Sequence, residues 1–157
     1  MDWQDLIVTS RLLTTTPYPN TQPLQDSLRR AVSTAYYAMF HALASSNADC
    51  LVGAPNDSLT EHAWSRTYRG LNHNATRRNL LQDRDLFSPQ IRRFAEVFAQ
   101  LQDLRHSADY NPNRSFTLIE TLALIDLAEA AIESFLQTDA DERKVLAIQS
   151  LIGRRAN

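Results

Sequence analysis

Apolar residues along this chain recur every three to four positions rather than every two, and that period divides it into helices. The first is expected after Asp2, an N-capping residue type, with Trp3, Leu6, Ile7, Ser10 and Leu13 on one face. Thr14 to Pro23 contains three prolines and reads as a loop. A long second helix follows, about Pro23 to Ser46. Leu28, Val32, Ala35, Met39 and Leu43 form one stripe of it, and Arg30, Thr34, Tyr37 and His41 a neighbouring one. It is apolar on nearly every side, so it is expected to be the central helix. Asn47 to Asp57, with Gly53 and Pro55, reads as a loop, and Ser58 with Glu61 is a capping-box pattern that starts a shorter helix through Trp64, Tyr68 and Leu71.

The stretch from Asn72 to Phe87 is polar and arginine-rich and carries no apolar period. Ser88-Pro89 is a start signal for a helix with Ile91, Phe94, Phe98, Leu101, Arg105 and Ala108 at helical spacing. Pro112 disfavours helical geometry at Asn111, so this helix should end near Tyr110. Thr117 and Glu120 make a second capping-box pattern, ahead of Leu118, Leu122, Ile125, Ala128, Ile132 and Phe135. A short extra helix over about 139–153 closes the pattern, stopped by Gly153, with Arg154 and Arg155 at its C-terminal end. The expected fold is all-α: a four-helix up-and-down bundle with one or two additional short helices, a single helical domain over residues 1–157.

Composition narrows the function classes. Hydrophobic residues make up 43%, enough for a packed core. No apolar run approaches the roughly 18 residues of a membrane span, and Asp2 and Asp5 argue against a signal peptide. A single cysteine, Cys50, excludes an internal disulfide framework and fits the reducing cytoplasm. The net charge of −2 gives no bulk case for nucleic-acid binding. Its distribution is uneven: from His62 to Phe94 there are seven arginines against Asp83 and Asp85, whereas the chain from Ser115 onward is net acidic. Such asymmetry fits a basic face for phosphates, a solvated face, or complementary surfaces on two copies of the chain.

The candidate chemistry lies in polar residues placed on core-facing stripes. Arg105 continues the stripe of Ile91, Phe94, Phe98 and Leu101, so its guanidinium should point inward or into a cleft. Asp109 follows one turn later and Tyr110 next to it. This corner fits either a phosphate site or a structural Arg–Asp pair fastening the helix end. Arg30, Tyr37 and His41 share one face of the second helix, with Tyr36 and Phe40 beside them, and fit either a polar site or aromatic packing. His62, His73 and His106 lack metal-site spacing. No nucleophile elbow, glycine-rich phosphate loop or dinucleotide fingerprint occurs, so no metal or cofactor is expected.

The segment Arg30 to Leu43, with Tyr36-Tyr37-Ala38-Met39-Phe40-His41, resembles the second helix of HEPN-type proteins of bacteria and archaea. Trp64, Tyr68, Arg69 and His73 are similar to the segment that follows in them, and Arg105-His106-Ser107-Ala108-Asp109-Tyr110-Asn111-Pro112 to their Arg-x-x-Ala-Asp-Tyr ending. The resemblance covers roughly residues 1 to 140. It implies an all-helical bundle, often dimeric, encoded beside a nucleotidyltransferase partner in toxin–antitoxin or defence systems. Active members are metal-independent ribonucleases, in which an Arg and a His four to six residues later act across a dimer cleft. Here the corresponding position holds Tyr110, and a phenol is a poorer base than an imidazole at neutral pH.

Three functions are therefore expected as alternatives. One is a regulatory module that binds RNA, a nucleotide or a partner protein through a degenerate nuclease motif. Another is a toxin-like ribonuclease, with Arg105 as phosphate ligand and Tyr110, His106 or His41 in proton transfer beside Asp109. The third is a structural dimerisation domain. On the first two readings Arg30, Tyr37, His41 and Arg69 hold the RNA or nucleotide.

Overall fold

The computed structural model describes residues 1–153. Among them the regular structure is helical, without strands: α1 (Trp3–Leu12), α2 (Gln25–Val52), α3 (Ser58–Tyr68), α4 (His73–Leu81), a 3₁₀ turn (Arg84–Leu86), α5 (Pro89–Tyr110), α6 (Leu118–Leu136) and α7 (Ala140–Leu151). No helix is long and apolar enough to cross a membrane. The chain divides into two compact units. The first holds residues 1–41 and 97–132, the second residues 42–96 and those from 133 onward, so the three boundaries fall inside α2, α5 and α6.

In the first unit, Val32, Ala35, Tyr36, Ala38 and Met39 are fully buried on successive sides of α2, as its nearly continuous apolar surface requires. Tyr36 meets Phe98 of α5 edge to face at 5.3 Å. α1 begins with Asp2 accepting from the Gln4 amide. Its buried Ser10 donates to the Ala31 carbonyl at 2.6 Å, while Arg11 pairs with Asp126 at 2.7 Å and with Glu129, tying α1 to α6. The Thr117 hydroxyl caps α6 through the Glu120 amide, but the Glu120 carboxylate turns to Arg114 instead of completing the box.

In the second unit, Phe94 stacks on Phe135 at 4.4 Å and α4 packs on α7. Here several expected boundaries move. α2 continues through Asn47 to Val52, where a loop was expected. Asn47 and Ala48 are buried, and the Asn47 amide donates to Ser150 of α7 at 2.8 Å, so tertiary contacts outweigh weak local propensity. The helix stops at Gly53, whose φ of +83° is the left-handed cap that favours glycine. The α3 box sits one residue earlier than read, because Asp57 and Thr60 satisfy each other's backbone amides.

α4 occupies the segment with no apolar period. Its inward-facing residues include Thr76 and Asn79, which a hydrophobic pattern cannot reveal, and Asn72 caps it through the Ala75 amide. Gln149 of α7 donates to the Asn79 and Gln82 carbonyls at 2.9 and 2.5 Å, holding the α4 C-terminus. Arg154 and Arg155, expected at the end of α7, lie outside the described residues.

Candidate functional site

Asp26, Arg30, Ser33 and Tyr37 recur on α2 at intervals of three to four residues, which makes them one stripe. In the first unit this stripe lines a cleft of about 860 Å³. The opposite side is built by Ala108, Asp109 and Tyr110 at the end of α5, with Pro112 and Ser115 in the loop beyond.

That loop is fastened to α2. Arg29 donates to the carbonyls of Ala108 at 2.8 Å, Asn111 at 2.9 Å and Pro112 at 3.2 Å, and also to that of Arg114. A helix ends in carbonyls without intrahelical partners and in partial negative charge, and a guanidinium answers both. Gln25 adds a two-sided clamp on Phe116, donating to its carbonyl at 2.7 Å and accepting from its amide at 2.9 Å.

Arg105 reaches across from α5 and donates to the Tyr37 hydroxyl at 2.8 Å. Its Nε lies 2.9 Å from Asp109 Oδ2, one turn on, although the N–H is not aimed along that line. The other Asp109 oxygen accepts from Ser33 at 2.5 Å, so one carboxylate orients Arg105 and joins α5 to α2. Burial opposes the Arg105 charge, but the neighbouring Tyr37 oxygen and the Asp109 carboxylate more than compensate and raise its pKa above the ordinary value. Beneath it, burial pushes the Tyr36 phenol well above the usual range, against a smaller opposing pull from Arg105. Tyr36 therefore keeps its phenolic proton at physiological pH.

The Arg105 guanidinium lies 5.5 Å from the Tyr37 ring and 6.0 Å from the Tyr110 ring. The His106 imidazole is 5.0 Å from that same Tyr110 ring, which is 67% exposed. Adjacent residues on a helix point about 100° apart. Arg105 and His106 nevertheless both reach Tyr110, which follows His106 by one turn. Arg30 is exposed, and neither it nor Asp26 makes a side-chain ion pair or hydrogen bond among the described residues.

No family model, curated protein or solved structure matches the chain.

Of the residues singled out from sequence, Arg30, Tyr37, Asp109 and Tyr110 line the cleft, and Arg105 is bonded to two of them. His106 stands beside Tyr110. His41 is half-buried, 6.5 Å from the Tyr37 ring and 5.7 Å from that of Phe40, and is not a lining residue. Arg69 belongs to the second unit, where it caps the C-terminus of α3. No group of three or more His, Cys, Asp or Glu gathers in metal-binding geometry among the described residues.

The sequence reading missed Asp26, Ser33, Gln25 and Arg29. The first two could have been found by extending the Arg30–Tyr37 stripe and filling its gap. Gln25 and Arg29 bond to backbone groups at the α5 end and in the loop after it, which leaves no trace in side-chain patterning.

Proposed function

We propose that this chain is a HEPN-type regulatory module that binds RNA in the cleft of its first unit, with a degenerate nuclease motif. The carrying observation is the pairing of an open cation with aromatic faces: the unpartnered Arg30 guanidinium shares a cleft with the Tyr37 and Tyr110 rings, and Arg105 is held beside both. Guanidinium groups recognise phosphate oxygens, and exposed rings stack on unpaired bases with little regard to sequence. In the second unit Arg66, Arg69, Arg78 and Arg93 are exposed and make no ion pair among the described residues, which supports a polyanionic partner. On this reading the helices form a four-helix up-and-down bundle, the working state is a homodimer, and a nucleotidyltransferase-type protein is the natural protein partner.

The test is fluorescence anisotropy with a labelled single-stranded RNA in EDTA, at several salt concentrations. Arg30→Ala should weaken binding about tenfold, the size of one charge-assisted contact, Arg105→Ala by less because Asp109 and Tyr37 already engage that guanidinium, and both should flatten the salt dependence. Absence of binding, or binding indifferent to both substitutions, refutes the reading.

A second reading, a metal-independent ribonuclease, draws on the approach of both Arg105 and His106 to Tyr110. The guanidinium would stabilise the developing phosphorane charge, and the exposed imidazole would move the proton. RNA fragments appearing in EDTA, and lost with Arg105→Ala, would favour it.

A further inference from the structure

Asp26 and Asp109 both place carboxylates in the cleft, but Asp109 is engaged by Ser33 and Arg105, whereas Asp26 lines the cleft without a partner among the described residues. Arg30 follows it at the acid-before-base spacing of four residues that favours an ion pair on a helix, yet the two make none. Acid and base thus stand side by side along one wall, both open to a ligand. Groups four apart on a helix have Cβ atoms about 5–6 Å apart, so whatever binds must present an anion and a hydrogen-bond donor at close quarters.

An RNA strand offers that pair at each nucleotide. The 2′-hydroxyl and the 3′-phosphate hang from adjacent carbons of one ribose, whereas the donor edges of the bases lie on the far side of the glycosidic bond. We infer that Asp26 accepts a hydrogen bond from the 2′-hydroxyl next to the phosphate held by Arg30, and so makes the cleft selective for RNA over DNA. The 2′-hydroxyl is the group by which a protein tells the two apart at a given site. In DNA the same position offers only C–H, leaving the carboxylate unpaired beside a phosphate, which disfavours binding. This inference rests on the RNA-binding reading above. Asp26 also lies in the first turn of α2, where an acid suits the helix dipole whatever binds, and the test must separate that role.

Binding of the full chain is measured by anisotropy with three oligonucleotides of one sequence: RNA, DNA, and 2′-fluoro RNA, which keeps an RNA-like sugar pucker without the donor. Gel analysis confirms that each probe stays intact. Wild type should prefer RNA to both others by about tenfold, the size of one hydrogen bond to a charged acceptor. Asp26→Ala should reduce that ratio to about one, by weakening RNA binding and by relieving the penalty on DNA. Asp26→Asn removes the charge but keeps an acceptor, so it should retain part of the preference; a helix-dipole role would make it behave like Asp26→Ala. The inference is overturned if Asp26→Ala keeps the preference, if Asp26→Asn matches Asp26→Ala, or if 2′-fluoro RNA binds wild type as well as RNA. In those cases Arg30-dependent binding survives and the RNA-binding reading stands. Failure of wild type to bind any probe overturns both.

Discussion

Replacing Arg29 with Ala should destabilise the fold more than replacing its neighbour Arg30, although the sequence pattern singled out Arg30 and not Arg29. Arg29 donates to four carbonyls at the end of α5 and in the following loop, two of them part-buried (Ala108 and Arg114) and two exposed (Asn111 and Pro112). An exposed carbonyl recovers its bond from water, so those two contribute little. Each part-buried one should cost about 1 kcal/mol, and the lost cation at the helix C-terminus about 0.5 kcal/mol more. The sum, about 2–3 kcal/mol, corresponds to a fall in Tm of roughly 5–10 °C for a chain of this size. Arg29→Lys keeps the charge but loses the planar fork, and should recover about half of the loss. Arg30→Ala, at an exposed position with no side-chain partner, should stay within about 0.5 kcal/mol of wild type. Thermal melts followed by circular dichroism at 222 nm, with urea titrations as a check, measure all three. If Arg29→Ala melts within a degree or two of wild type, or Arg30→Ala melts as low, the argument for a clamped loop fails.

Two further outcomes follow from named groups. The Thr60 backbone amide and hydroxyl hold the Asp57 carboxyl below the usual carboxylate range, so its cap on α3 should be complete above the unfolded pKa near 4 and fade as pH falls through the lower folded value. The pH dependence of stability should therefore be shallower below pH 4 in Asp57→Asn, which caps without titrating, and equal slopes in the two proteins would contradict this. Tyr110→His should raise RNA cleavage in EDTA, by as much as the roughly 10²–10⁴ available to a general acid or base of near-neutral pKa, and the gain should vanish in the Arg105→Ala background. An unchanged or Arg105-independent rate would count against any catalytic role for this corner.

How far the pattern of residues exposes the structure depends on what each residue bonds to. The all-helical class was legible because Leu28, Val32, Ala35 and Met39 are buried at the spacing that gives a helix an apolar side. The bounds of α5 were legible because Ser88-Pro89 and Pro112 act through local backbone geometry. α4 was hidden because it buries Thr76 and Asn79, and the extension of α2 because Asn47 finds its partner on α7. The approach of Arg105 to Tyr37 could be anticipated, since Arg105 continues a core-facing stripe, Tyr37 lies on the stripe beside one, and each needs a polar partner.

Arg29 shows the opposite situation and bears on function. Its partners are carbonyls that any sequence would supply, yet it sets the position of the α5 end that carries Asp109 and Tyr110. The division of labour between neighbours then has a physical logic. Arg29 is saturated by backbone acceptors, Arg105 is shared between Tyr37 and Asp109, and Arg30 has no side-chain partner among the described residues. On the RNA-binding proposal, a ligand anion would engage Arg30 at no cost in broken contacts. It recruits Arg105 only by competing with Asp109. Affinity should accordingly depend chiefly on Arg30, and any chemistry on how readily Asp109 releases Arg105. Loss of the Asp109 carboxylate would then free one guanidinium while loosening the α2–α5 junction that Ser33 closes.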